Sequence, residues 1–177
     1  RKGASDDFLL KADKNPNTRG AIELAIETSP AELEHLVASV TRGETTALYV
    51  FGQDLYELLQ EETCNKIFKE CFFLIFQGSN WNRTARQASV VLPAATYAEK
   101  DGTFTNYARR VQSIFKAFAP KGESRPDWEI LVSLSRRLDF PLPYKGPWEI
   151  FEEMARSGGA FRGLSHDAVG MQGKVLA

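Results

Sequence analysis

Cysteine is scarce in this sequence, with only Cys64 and Cys71 among 177 residues. An iron–sulfur cluster needs about four closely spaced thiolates and no C-x-x-C occurs, so a cluster or a disulfide framework is excluded. Cys64 falls on a helical apolar face and Cys71 at a strand start, which reads both as core thiols suited to a reducing compartment. An excess of one charge is missing as well: 22 basic residues face 23 acidic ones, for a net charge of −1. That balance offers no electrostatic footprint for nucleic acid or an anionic membrane. The longest apolar run, Cys71 to Phe76, is far shorter than the about 20 residues of a membrane-spanning helix. Neither G-x-G-x-x-G nor G-x-x-x-x-G-K-[ST] is present, so the usual glycine-rich dinucleotide and triphosphate loops are excluded. His35 and His166 each lack a second ligand group, and no metal site is read from them. Repeats and low-complexity tracts are absent. The first residue is Arg and no signal-peptide pattern follows, so the sequence is expected to be a piece of a longer protein.

At 43% hydrophobic, the chain has enough apolar material for one globular core. Residues 1 to 17 are polar around a Phe8-Leu9-Leu10 anchor and read as a connector, with a possible short helix from Ala21 to Ile26. Ser29-Pro30-Ala31-Glu32 is a capping box with proline at the first helical position. Leu33, Leu36, Val37 and Val40 follow at helical spacing until Gly43, with His35 off the stripe. Thr46 to Phe51 is continuously apolar, as is Phe72 to Phe76, and Val90 to Leu92 forms a third run. Continuous apolarity predicts strands buried on both faces of a parallel sheet. A helix from Leu55 to about Lys69 and a short one from Arg83 to Ala88 separate them. Strand–helix–strand–helix–strand with short loops predicts a right-handed parallel α/β unit. Its carboxyl-end loops are Gly52-Asp54, Gln77-Thr84 and Thr96-Asn106, and a ligand crevice is expected along that edge.

Within the third loop, Asp101-Gly102 marks a tight turn and Thr103-Phe104-Thr105 alternates like a half-exposed strand. Val111, Ile114, Phe115 and Phe118 suit either a strand or a helix. Ser124 to Leu138 is a helix, with Asp127 and Glu129 in the first turn and Arg136 and Arg137 in the last, complementing the macrodipole. Trp128, Leu131, Leu134 and Leu138, with Ile130, form its expected buried stripe. Pro147 begins a last helix that Gly158-Gly159 ends, and the tail from Gly163 is expected to be poorly ordered or to pack on a neighbour missing from this sequence.

The stretch from Val90 to Asn106 reads V-V-L-P-A-A-T-Y-A-E-K-D-G-T-F-T-N. It resembles the molybdopterin oxidoreductase superfamily, in the block V-V-L-P-A-A-x-x-x-E-K-x-G-T-F-T-N. Formate dehydrogenase large chains and the large iron–sulfur subunit of respiratory complex I share that block. The resemblance continues through Arg109-Arg110-Val111-Gln112 and Pro120 to Leu131. Asp6 to Leu9 and Asn15 to Ala21 are most similar to the carboxyl-terminal part of the complex I subunit, which belongs to NADH-quinone oxidoreductase, ahead of its last nucleotide-fold domain. The resemblance favours extended chain at Val111 to Phe118. It implies an α/β fold: a three-layer, Rossmann- or flavodoxin-like parallel sheet with flanking helices and an irregular C-terminal extension. On that basis residues 1–28 form a connector, 29–140 the α/β domain, and 141–177 a helical extension and tail.

Catalytic members of the superfamily bind two molybdopterin guanine dinucleotides. Matched by motif, the contacts implied here come from Gly52, Gln53, Asp54, Gln77, Thr84, Lys100, Asp101 and Thr103. The chemistry is sensible, because guanine needs a carboxylate acceptor and pyrophosphate needs N–H, Lys or hydroxyl donors. The chain departs from the pattern with Gln77-Gly78 for Gln-Asp, with Gln53-Asp54-Leu55 for Glu-Asn-Pro, and with Tyr107-Ala108 after Asn106 for Thr-Glu. The resemblance therefore implies a fragment of the large iron–sulfur subunit of NADH-quinone oxidoreductase. That fragment is a structural domain of a respiratory electron-transfer complex, with no redox centre of its own and a vestigial pterin pocket. Iron–sulfur clusters are then expected in a preceding part, and the metal ligand of catalytic members also lies outside this sequence. The implied partners are the remainder of its own chain and other subunits of the complex. No nucleic acid and no direct membrane insertion are implied, and the expected location is the cytoplasmic side of the membrane. The alternative is a fragment of an active molybdenum or tungsten oxidoreductase such as a formate dehydrogenase large chain. Arg109-Arg110-Val111-Gln112 favours it, standing where the complex I subunit usually has Glu-Gly-Arg-Val-Gln.

Overall fold

The computed structural model describes residues 4–6, 15–26 and 30–176. The Phe8-Leu9-Leu10 anchor and Ser29 of the capping box lie outside them. In chain order the elements are α1 (Thr18–Glu23), α2 (Pro30–Thr41), β1 (Ala47–Phe51), α3 (Glu61–Glu70), β2 (Phe73–Gly78), β3 (Val90–Pro93), β4 (Gly102–Thr105), β5 (Arg110–Ile114), α4 (Asp127–Arg137), α5 (Pro147–Arg156), α6 (His166–Val169) and β6 (Lys174–Val175). They fall into two compact units, each discontinuous in sequence: residues 28–99 with 118–134, and residues 1–27 with 100–117 and 135–177.

The first unit carries a parallel sheet in the order β1-β2-β3, the topology that the alternating elements predict. The register sets Phe51 beside Gln77 and Gly78 beside Pro93, so three strand ends stop level with one another. One face packs Val50, Leu74 and Phe76 with Leu48 and Val91 against Phe68 of α3, Leu55, Cys71 and Ala85. The expectation of burial on both faces fails. Phe51 is 52% exposed, and Tyr49, Phe73 and Val90 are also open to solvent. The reason is that both crossovers, through Phe68 and through Ala85, pack on the same side of the sheet, whereas two-sided burial needs helices on each.

The helix expected from Leu55 is shorter and starts later. Leu55–Glu57 is a single 3-10 turn, and α3 begins at Glu61 after Gln60 in extended backbone. Asp54 accepts a hydrogen bond from Tyr56 N while Leu55 N donates to Thr84 Oγ1. Side chains thus hold the donors of that first turn, and the chain restarts with Glu61 and Glu62 where the helix dipole favours acids. Arg83 to Ala88 likewise contains only a 3-10 turn, Ala85–Gln87. Cys64 is fully buried and Cys71 half-buried. In α4 the buried residues are Ile130 and Val132, while Leu131 and Leu138 of the expected stripe are exposed. A hydrogen bond from Gln77 to Asp127 sets the rotation of the first turn, and Ile130 lies three residues on along that face.

The second unit is built on an antiparallel sheet in the order β4-β5-β6. Beyond Asn106 the chain is extended over β5, as the resemblance favours, and it bends at Ala117 and Phe118. Val111, Phe151, Phe161, Val169 and Leu176 form its core, with the rings of Phe151 and Phe161 edge to face at 6.2 Å. The early helix lies at Thr18–Glu23 rather than Ala21 to Ile26, and Asn17 before it exchanges two hydrogen bonds with Thr105. The tail is ordered, contrary to expectation. Ser165 caps α6, Gln112 Nε2 donates to Met171 O, and β6 pairs with β5. Gly173, at φ +75°, permits this: a Cβ there would stand 2.4 Å from Val111 O.

Candidate functional site

The level ends of β1, β2 and β3 bring their exit loops together, as the crevice rule requires. Gly52 turns the first loop at φ +67°, a left-handed conformation that glycine adopts without strain, and its N–H donates to Gln77 O at 2.7 Å. Gln53 is half-buried and donates from Nε2 to Asp54 O at 3.2 Å.

Asp54 is the hub of the rim. Its Oδ1 accepts from Thr84 Oγ1 at 2.7 Å, from Thr84 N at 3.3 Å and from Tyr56 N at 3.3 Å. Its Oδ2 accepts from Arg83 N at 3.2 Å. Burial alone would push this carboxyl up, but the Thr84 hydroxyl and the N–H groups of Tyr56, Arg83 and Thr84 outweigh it and hold it below the ordinary carboxylate value. Thr84 is 0% exposed, and its Oγ1 also accepts from Leu55 N at 2.8 Å. The Arg83 guanidinium lies 3.7 Å from the centre of the Tyr56 ring and pairs with Glu61 at 3.0 Å.

Gln77 is also 0% exposed. Its Oε1 accepts from the Tyr49 hydroxyl, and its Nε2 donates to Asp127 Oδ1 at 2.9 Å. Burial and then the charge of Asp127 push the Tyr49 hydroxyl up. At Gly78, where the resemblance expects an acid, a Cβ would meet the Phe76 ring at 2.7 Å. The missing carboxylate thus coincides with a Phe76 ring that any side chain at this position would have to displace. In the third loop Glu99, 7% exposed, accepts from Thr96 N at 2.8 Å and Lys121 N at 3.1 Å. Those N–H bonds, the one from Thr96 foremost, hold its carboxyl below the usual range.

Of the eight residues singled out by resemblance, the structure brings five together in the first unit: Gly52, Gln53, Asp54, Gln77 and Thr84. Lys100, Asp101 and Thr103 belong to the second unit, where Asp101 Oδ1 accepts from Lys116 N at 2.9 Å and Thr103 pairs with Ser113 across the β4–β5 ladder. Sequence reasoning missed Tyr49, Arg83, Glu99 and Asp127 as rim residues. Glu99 stood in plain view inside the block shared with the superfamily, and a lone acid at a strand exit was the available signal. Tyr49 and Asp127 had none, because their roles depend on a partner far away in the chain.

Guanine and pyrophosphate need free acceptors and donors. Gln77 and Thr84 are fully buried and hydrogen-bonded within the protein, and Asp54 accepts four hydrogen bonds from the loops themselves, which makes these three a poor fit to direct contact. Among the described residues no group of three or more His, Cys, Asp or Glu is placed to hold a metal ion, and no helix is long and apolar enough to cross a membrane.

A parallel α/β sheet whose exit loops share one rim defines a module of the nucleotide-fold class. More narrowly, the chain belongs to the molybdopterin oxidoreductase family, whose profile matches residues 16–137. Two relatives from Staphylococcus aureus, of strains USA300 and NCTC 8325, are each 38% identical over 169 residues and carry the name "Putative formate dehydrogenase". Each alignment takes in 92% of this chain but 16% of the relative, so the chain spans about one-sixth of those proteins' length. Among solved structures, acetylene hydratase from Pelobacter acetylenicus superposes with a TM-score of 0.60 over 75% of this chain and 19% of its own, at 15% identity. That likeness concerns the fold.

Proposed function

We propose that this chain is part of the large chain of a molybdopterin-dependent oxidoreductase of the formate dehydrogenase type. The observation that carries the reading is the 38% identity across 92% of the chain to relatives bearing that name. It is supported by Arg109-Arg110-Val111-Gln112 and by the level rim of β1, β2 and β3. On this reading the rim of the parallel sheet flanks a pterin guanine dinucleotide, which when bound supplies the oxidation–reduction chemistry. Gly52 and Gln53 are the contacts proposed on that rim, where backbone and amide N–H groups are donors that suit pyrophosphate. Iron–sulfur clusters, the metal ligand and the partner subunits belong to sequence beyond these residues, and any attachment to the cytoplasmic side of a membrane runs through those partners.

A second reading is a domain of the large iron–sulfur subunit of NADH-quinone oxidoreductase, a scaffold whose pterin pocket is vestigial. The closed packing at Gly78 and the internal pairing of Asp54, Gln77 and Thr84 favour it. Metal analysis of the protein purified at its natural length separates the two. Stoichiometric molybdenum or tungsten supports the enzyme, and its absence alongside intact iron–sulfur spectra supports the scaffold.

A further inference from the structure

We propose that Asp54 is a positioning residue: it fastens the first exit loop of the parallel sheet to the second and makes no contact with a nucleotide or pterin. Three donors from Tyr56 and Thr84 converge on Asp54 Oδ1, and the Arg83 N–H takes Oδ2, so most of the carboxylate's roughly four lone-pair sites are used by the loops themselves. Those donors come from both loops, so the carboxylate can turn to a ligand only by releasing one loop from the other. Thr84 doubles the link. Its buried hydroxyl donates to Asp54 and accepts from Leu55 N, so a second side chain joins the same two loops. Arg83 closes the far side by lying on Tyr56 and pairing with Glu61 of α3. The titratable and charged groups around the lock are Tyr56 beside the first loop, Arg83 on the second, and Glu61 and Cys64 on α3. The lock is a property of the protein by itself, so it stands whether the full-length protein is the enzyme or the scaffold.

Amide hydrogen exchange on the 177-residue chain tests it. In Asp54→Ala, exchange at Tyr56, Arg83 and Thr84 is expected to speed up at least about tenfold while Leu74 and Phe76 in β2 stay unchanged. Should that variant fail to fold, Thr84→Val keeps the shape and is expected to speed exchange at Leu55, whose N–H loses the Oγ1 acceptor, while the amides that donate to Asp54 stay protected. In a pH series, protection of the three amides in the wild-type chain falls together as Asp54 is protonated, and in Asp54→Asn that dependence disappears. Guanosine diphosphate is then added while the Asp54 carboxyl carbon is followed by NMR, with Trp81 fluorescence reporting separately whether the nucleotide binds. The lock predicts an Asp54 titration that the nucleotide leaves in place. Exchange unchanged in both variants, a rise no larger in the loops than in β2, or an Asp54 titration displaced by the nucleotide would each overturn the proposal.

Discussion

The Gln77 amide bridges Tyr49 and Asp127, accepting from the phenol and donating to the carboxylate at 2.9 Å. It ties β1, β2 and the first turn of α4 together at a fully buried point. Replacing Gln77 by Leu removes both hydrogen bonds from a buried position and is expected to cost about 1–3 kcal/mol, read from urea unfolding. Gln77→Glu sets a second carboxylate against Asp127, so its deficit should shrink as the pH is lowered and one acid takes up a proton. A Gln77→Leu chain as stable as wild type would show the bridge to be idle.

Glu99 gives the chain a pH dependence with a defined sign. Its carboxyl is held below its ordinary value of 4.5 by N–H donors from Thr96 and Lys121. A depressed folded-state pKa contributes stability that is complete above the unfolded value and fades as the pH falls through the folded one. Thermal melts taken from neutral pH downward should therefore steepen in the wild-type chain below about pH 4.5. Glu99→Gln, which starts lower, should lose less over the same interval.

Gly173→Ala should detach the carboxyl-terminal strand. The glycine stands at φ +75°, and a Cβ would press on Val111 O at 2.4 Å and Gln112 Cγ at 2.5 Å. Strain of this kind costs on the order of 1–3 kcal/mol. The local signature is faster hydrogen exchange at Leu176, whose N–H donates to Arg109 O at 2.9 Å, with β2 amides unaffected. Leu176→Ala, by contrast, removes a core side chain and should lower global stability by about 2–5 kcal/mol.

Much of this arrangement could be read from residue order. The three apolar runs and the helical stripe between the first two announce parallel strands with crossovers, because period and turn chemistry are local properties. Pro147 and Gly158 bracket α5 for the same reason, one lacking the N–H that a first turn leaves unused and the other tolerating φ +102°. The shared block from Val90 to Asn106 led to the right family. It did not decide between formate dehydrogenase and the complex I subunit, because the fold block is common to both.

Tertiary structure alone decided which polar residues were free. Asp54, Gln77 and Thr84 carry the side chains a nucleotide site wants, yet each is satisfied by a partner between 28 and 50 residues away or by one on the facing loop. It also decided the exposed face of the parallel sheet and the order of the tail, since both depend on what packs against them. Hydrophobic spacing tells a residue which side of its own element it occupies, whereas the availability of a hydrogen-bonding atom is set by neighbours that folding brings from elsewhere in the chain.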